Sequence, residues 1–194
     1  MIEGKVLSVR AKGKKGEIIT LCIYDEDERK YTVSEGTYRS IGCPLSGDVI
    51  DKEAISLLEK EDGERGALSK ALKILSFGDN SERRLFAKLL SAKIPKEYAR
   101  FAVEECVRLG YLDEKRQIER AVFLLSEELL GPKKIAARLA TRGYGAKQIR
   151  LAISNAIESG RLDINKNKRL LIEKKLGDCA DSESRRALLY KFGY

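Results

Sequence analysis

The chain of 194 residues contains no histidine. That absence excludes Ser-His-Asp and Cys-His nucleophile systems, imidazole general bases and His-ligated metal sites. An enzyme built from this sequence would have to work with carboxylates, Lys, Tyr or Cys alone. Tryptophan is also absent, and aromatics make up only 7% of the residues, so no run of aromatic side chains offers a stacking platform for bases. The four cysteines, Cys22, Cys43, Cys106 and Cys179, are scattered and form no C-x-x-C pair. A structural zinc site needs paired ligands, and isolated thiols fit a reducing cytoplasm better than a disulfide framework. The longest strongly apolar run is Ala121–Leu125, far short of the roughly 20 residues of a membrane span. Met1-Ile2-Glu3-Gly4 lacks the basic-then-apolar order of a signal peptide. The expectation is a cytoplasmic protein with no membrane association.

What the chain does have is charge and aliphatic residues. Hydrophobic residues reach 43% and charged residues 35%, with 38 Lys and Arg against 30 Asp and Glu, a net charge of +8. The balance is uneven: residues 1–62 carry 10 basic and 13 acidic side chains, whereas residues 63–194 carry 28 and 17. A basic body points to an anionic partner but says nothing about fold.

Residues 1–62 read as a small antiparallel β domain with a short helix or two. Val6, Leu7 and Val9 lead to a glycine-bounded turn at residues 12–16, Ile18 to Tyr24 is a β-branched run, and Tyr31-Thr32-Val33 resumes strand character. A short helix is expected from Ser34 to Ile41. A second runs from Ile50 to Glu59, with Asp51 as its N-cap. The charged segment Glu59 to Glu64 then connects the two parts. Gly13-Lys14-Lys15-Gly16 lacks the full phosphate-loop pattern, and the acidic run 25–28 lacks the glycine and distal glutamate of a calcium loop. Both read as hairpin turns.

Residues 63–194 match themselves at a shift of fifty. Leu85 pairs with Ile135, Leu89 with Leu139, Ala102-Val103 with Ala152-Ile153, and Val107 with Ile157. Gly110-Tyr111-Leu112-Asp113 pairs with Gly160-Arg161-Leu162-Asp163, and Leu139, Gly143 and Tyr144 pair with Leu189, Gly193 and Tyr194. The expected fold is mainly α: tandem three-helix repeats at 63–113 and 114–163 and a truncated two-helix repeat at 164–194. Leu68, Leu72 and Leu75 mark the first apolar face. Ser81 is read as the N-cap of the second helix, Pro95 as the first residue of the third, Gly110 and Gly143 as helix stops, and Asp113 and Asp163 as caps. Repeats that touch mainly their neighbours build an elongated, curved body with an extended surface.

Basic side chains recur on that surface. Lys133, Lys134, Arg138 and Arg142 fall on the middle helix of the second repeat, with 134, 138 and 142 spaced by four along one stripe. Lys147 and Arg150 follow. Arg83, Arg84, Lys88 and Lys93 hold similar places in the first repeat. A solvated helix face accounts for any single stripe; its recurrence suits a surface that follows a phosphate backbone without reading bases. Glu104-Glu105 and Glu127-Glu128 are neighbours on helices and do not converge on one point, so no acid–base pair emerges.

The ordered set Ala71-Leu72 and Leu75, Ser81 with Leu85 and Leu89, Leu109-Gly110-Tyr111-Leu112-Asp113-Glu114, Gly131-Pro132-Lys133-Lys134-Ile135, Leu139 and Arg142-Gly143-Tyr144 resembles the RecX family of bacterial recombination regulators over residues 65–194. Gln117 and Ile118 depart from the aromatic-then-Ala pattern usual there, and Ala121 restores the small residue one turn later. The resemblance implies a monomeric, non-enzymatic modulator of the RecA recombinase that needs no cofactor. Such a protein lies in the groove of the RecA–DNA filament, meets single-stranded DNA weakly or through that filament, and limits ATP hydrolysis, strand exchange and the coprotease activity of the SOS response. The alternative from composition alone is a free-standing, sequence-nonspecific DNA-binding module.

Overall fold

The computed structural model describes residues 3–13, 17–177 and 181–194. The inner part of the first turn and Cys179 lie outside the described residues. The order is β1 (Gly4–Lys12), β2 (Ile18–Tyr24), β3 (Glu28–Ser34), α1 (Glu35–Ser40), β4 (Val49–Ile50), α2 (Lys52–Leu75), α3 (Glu82–Ser91), α4 (Lys96–Arg108), α5 (Glu114–Glu127), α6 (Pro132–Thr141), α7 (Ala146–Glu158), α8 (Ile164–Leu176) and α9 (Ser182–Phe192). The protein is therefore mostly helical with a small N-terminal sheet.

The sheet is antiparallel, ordered β3-β2-β1-β4. Val6, Ile19, Leu21, Ile23, Tyr31 and Val33 project from it onto Ala54, Ile55 and Leu58 of α2 and form one core. The meander agrees with the strand pattern read from the sequence. The two-residue β4 is an addition that no propensity signal marks: it pairs only Gly4 and Lys5 of β1.

The helix expected to stop near Glu59 instead continues to Leu75, so the charged segment 59–64 is helical. Three of its carboxylates explain why. β3 is an edge strand, whose outward N–H groups need partners. Asp62 Oδ1 accepts from Thr32 N at 2.8 Å, and Glu61 Oε1 accepts from Ser34 N at 2.7 Å. Glu59 Oε1 takes Arg29 Nη1 at 3.0 Å. The acidic run thus seals the sheet edge with side chains of α2, and one helix serves both the sheet and the bundle that follows.

Beyond residue 63 the apolar residues divide between two separate cores. Ala67 and Ala71 of α2, Leu85 and Leu89 of α3, and Ala99, Ala102, Val103 and Cys106 of α4 close the first, with Leu112. The leucines Leu68, Leu72 and Leu75 only flank it; small Ala67 and Ala71 take the fully buried positions, which lets α2 lie close to α4. Ile118, Ala121, Val122 and Leu125 of α5, Ile135 and Leu139 of α6, and Ile149, Ala152 and Ile153 of α7 close the second, with Leu162. The middle helices α3 and α6 are each ten residues long, and α4 and α7 are each thirteen.

The helix boundaries follow side-chain chemistry. Ser81, Asp113 and Asp163 accept from the N–H three residues on, as N-caps do. Pro132 occupies the first position of α6. Pro95 sits one residue earlier than expected: it is the N-cap of α4, with ψ of 143°. α8 is tied to the preceding core by Asn167, whose Nδ2 donates to Ser126 O at 3.1 Å.

Candidate functional site

The ten basic residues singled out above are all exposed. Arg83, Arg84 and Lys88 lie on α3, and Lys93 follows its end with a left-handed φ of 62°. Lys133, Lys134 and Arg138 lie on α6, and Arg142 is its C-cap. Lys147 and Arg150 belong to a different helix, α7, and lie off the α6 stripe.

The tertiary structure adds a relation between α9, α6 and α3 that sequence spacing alone does not express. The end of α6 meets the start of α3: Ser81 Oγ donates to Arg142 O at 2.9 Å and accepts from Arg84 N at 3.2 Å. Gly143 follows with φ of 89°, and a Cβ on it would lie 2.7 Å from Ser81 Oγ and 3.9 Å from Arg84 Cβ. The end of α9 meets the start of α6 in the same sense. Gly131 N donates to Phe192 O at 2.8 Å, and Lys133 N donates to Gly193 O at 3.2 Å. A Cβ on Gly193 would sit 2.4 Å from Lys134 N. Tyr194 completes this contact by donating its hydroxyl to Leu129 O at 3.2 Å, and Lys168 lies over its ring at 5.6 Å. Lys168 carried no signal in the sequence, because its partner is 26 positions away.

Both contacts join the C-terminal end of one helix to the N-terminal end of another, so orphan carbonyls meet donors and opposite ends of two helix dipoles face each other. The consequence for charge is direct. The backbone of Arg142, last in the stripe 134–138–142, is linked through Ser81 Oγ to the backbone of Arg84, from which Lys88 lies one turn further along α3. The basic helices α3 and α6 therefore meet at one helix-end contact.

Two of the ten are already engaged. Arg138 Nη1 pairs with Glu128 Oε2 at 2.5 Å. Lys88 Nζ donates to Oδ1 of buried Asn80 at 2.6 Å, and Asn80 in turn donates to Gly78 O at 2.8 Å, so Lys88 steadies the approach to α3. The side chains of the other eight have no ion-pair or hydrogen-bond partner among the described residues and remain available to an anion.

Burial, reinforced by Asp79, pushes the Tyr144 phenol up, and its hydroxyl donates to Gln117 Oε1 at 3.0 Å. Burial and the nearby Glu114 hold the Glu82 carboxyl above its usual range. Cys22 and Cys106 are buried thiols and Cys43 is exposed; burial is the leading cause that raises Cys106, whereas for Cys22 it is the hydrogen bond to Glu28. Among the described residues no group of three His, Cys, Asp or Glu side chains could hold a metal ion, and no described helix is long and apolar enough to cross a membrane. The arrangement leaves exposed cations on α3, α6 and α7.

The chain belongs to the class of mainly helical proteins with a small N-terminal antiparallel sheet. No known family profile matches the chain, but individual proteins do. It is 29% identical over 115 residues to regulatory protein RecX of Stenotrophomonas maltophilia (strain R551-3), covering 59% of this chain and 68% of that protein. RecX of strain K279a of the same organism is 28% identical over 120 residues, covering 62% and 71%. The crystal structure of a regulatory protein RecX superposes with a TM-score of 0.68 at 18% identity, covering 98% of this chain and 94% of that one. The resemblance to the RecX family is thus present in both sequence and fold.

Proposed function

We propose that the protein is a non-enzymatic cytoplasmic regulator of homologous recombination, which lodges as a monomer in the groove of the RecA–DNA filament. There it limits ATP hydrolysis, strand exchange and coprotease activity. In this reading residues 1–62 form a scaffold and protein-contact unit, and residues 63–113, 114–163 and 164–194 are successive helical repeats of an elongated, curved body. The repeats present the track of Arg84, Lys134, Arg138 and Arg142 to the filament's phosphates, and single-stranded DNA is met through the filament.

The observation that carries the reading is the end-to-end setting of α9, α6 and α3. It supports the reading because hydrogen bonds at the helix ends join helices that carry exposed cations. A rigid body that touches several protomers gains from effective concentration, so individually weak contacts suffice. Phosphate contacts add a salt-sensitive contribution.

The test is DNA-stimulated ATP hydrolysis by the cognate recombinase, with this protein added below stoichiometric amounts. Hydrolysis should fall, and the Lys134→Glu/Arg138→Glu/Arg142→Glu variant should restore it while keeping its helicity. Unchanged hydrolysis at every ratio rejects the filament reading. Full inhibition by the triple variant rejects the track.

A further inference from the structure

Between α5 and α7 lies a cleft of about 430 Å³ that contains none of the ten basic residues discussed above. Val122, Ala152, Ala156 and Leu162 line it with aliphatic surface, and Phe123 stands in it 49% exposed. Three arginines border it: Arg116 and Arg120, one turn apart on α5, and Arg161 beyond the end of α7. None of the three guanidinium groups has an ion-pair or hydrogen-bond partner among the described residues. Glu119 is the only carboxylate in the lining, which leaves the rim net positive. Fifty positions earlier, Gly66, Lys70 and Tyr111 stand where these arginines do, so the trio is a property of this cleft and not of the helical pattern.

We infer that this cleft is a docking site for an acidic protein segment carrying an apolar anchor, with Arg116, Arg120 and Arg161 holding its carboxylates while the anchor fills the aliphatic floor. Charge complementarity selects an anionic occupant. The floor selects a peptide over a nucleic acid: bases stack on planar faces, and Phe123 is the single aromatic in the lining. Guanidinium forks pair bidentately with carboxylates, and three of them around an apolar slot match acidic side chains flanking one hydrophobic residue. The inference leans on the proposed function only for the source of the segment, a recombinase protomer; binding itself needs no recombinase.

The experiment is fluorescence anisotropy with the full chain and a fluorescein-labelled short peptide in which a Leu-Phe pair is flanked by aspartates and glutamates. Its Asn/Gln counterpart and a labelled single-stranded oligo-dT are run beside it. The acidic peptide should bind and its neutral counterpart should bind at least about tenfold more weakly. Arg116→Glu/Arg120→Glu and, separately, Arg161→Ala should weaken the acidic peptide about tenfold while changing oligo-dT affinity less than about twofold. Far-UV circular dichroism checks that these exposed substitutions leave the fold intact. No binding of the acidic peptide up to about 100 µM overturns the inference. So does loss of oligo-dT binding alone in the variants, which makes the cleft a nucleic-acid surface. Because no recombinase is present, either result leaves the filament reading standing or falling on its own test.

Discussion

Replacing Gly143 by alanine probes the contact that aligns α6 with α3. Two costs add. Gly143 has φ of 89°, and an L side chain there costs roughly 1–2 kcal/mol. The new Cβ also lies 2.7 Å from Ser81 Oγ. That oxygen cannot simply turn aside, because it bonds Arg142 O at 2.9 Å and Arg84 N at 3.2 Å; forcing it costs about 1–3 kcal/mol more. Gly160→Ala is the control: φ is 73°, but nothing lies within 4 Å of its Cβ position, so only the first cost, roughly 1–2 kcal/mol, applies. In urea unfolding followed by far-UV circular dichroism, Gly143→Ala should lower the midpoint well beyond Gly160→Ala, with unchanged slope. In the Ser81→Ala background the nearest remaining atom is Ser81 Cβ at 3.8 Å, an ordinary contact. The two substitutions should therefore be non-additive by about 1–2 kcal/mol. Equal shifts for Gly143→Ala and Gly160→Ala would refute the close end-to-end contact.

Three further outcomes follow from the same geometry. Glu61→Gln/Asp62→Asn weakens the acceptors of the β3 edge and should destabilise the sheet by about 1–3 kcal/mol, read as faster amide exchange at Thr32 and Ser34 than at β2; unchanged exchange there contradicts the sealing role. Gly63→Ala brings a Cβ within 2.3 Å of the Tyr98 ring, so it should lower the melting temperature despite alanine's better helix propensity, and Tyr98→Leu should recover part of the loss; a rise in melting temperature contradicts it. Glu82 has its folded pKa raised, chiefly by burial and then by Glu114. Its charged form therefore weakens the fold as pH rises through that value. Glu82→Gln should stabilise the protein at pH 7, with the gain vanishing below the ordinary glutamate value of 4.5; a gain that persists at pH 3 contradicts the assignment.

Much was legible without coordinates because it is local. Ser81, Asp51, Asp113 and Asp163 announce helix starts through chemistry confined to three residues. The match of Leu85 and Leu89 with Ile135 and Leu139 named four side chains that are fully buried. Basic residues fall on exposed faces because charge avoids a core. The extent of α2 was not legible: Gly63 and a dense acidic run look like a break, and only the nearby edge of β3 and the Tyr98 ring make a continuous helix favourable.

The sequence by itself determined the β-then-α division, the positions of most caps and core residues, and the excess of cations past residue 63. Tertiary structure alone decided which ends meet. Ser81 lies 61 positions from Arg142, and Gly131 lies 61 from Phe192. Nothing in local propensity couples residues so far apart; they are joined only because packed helices bring an unsatisfied carbonyl within reach of a donor. That pairing joins the ends of helices that carry the exposed cations.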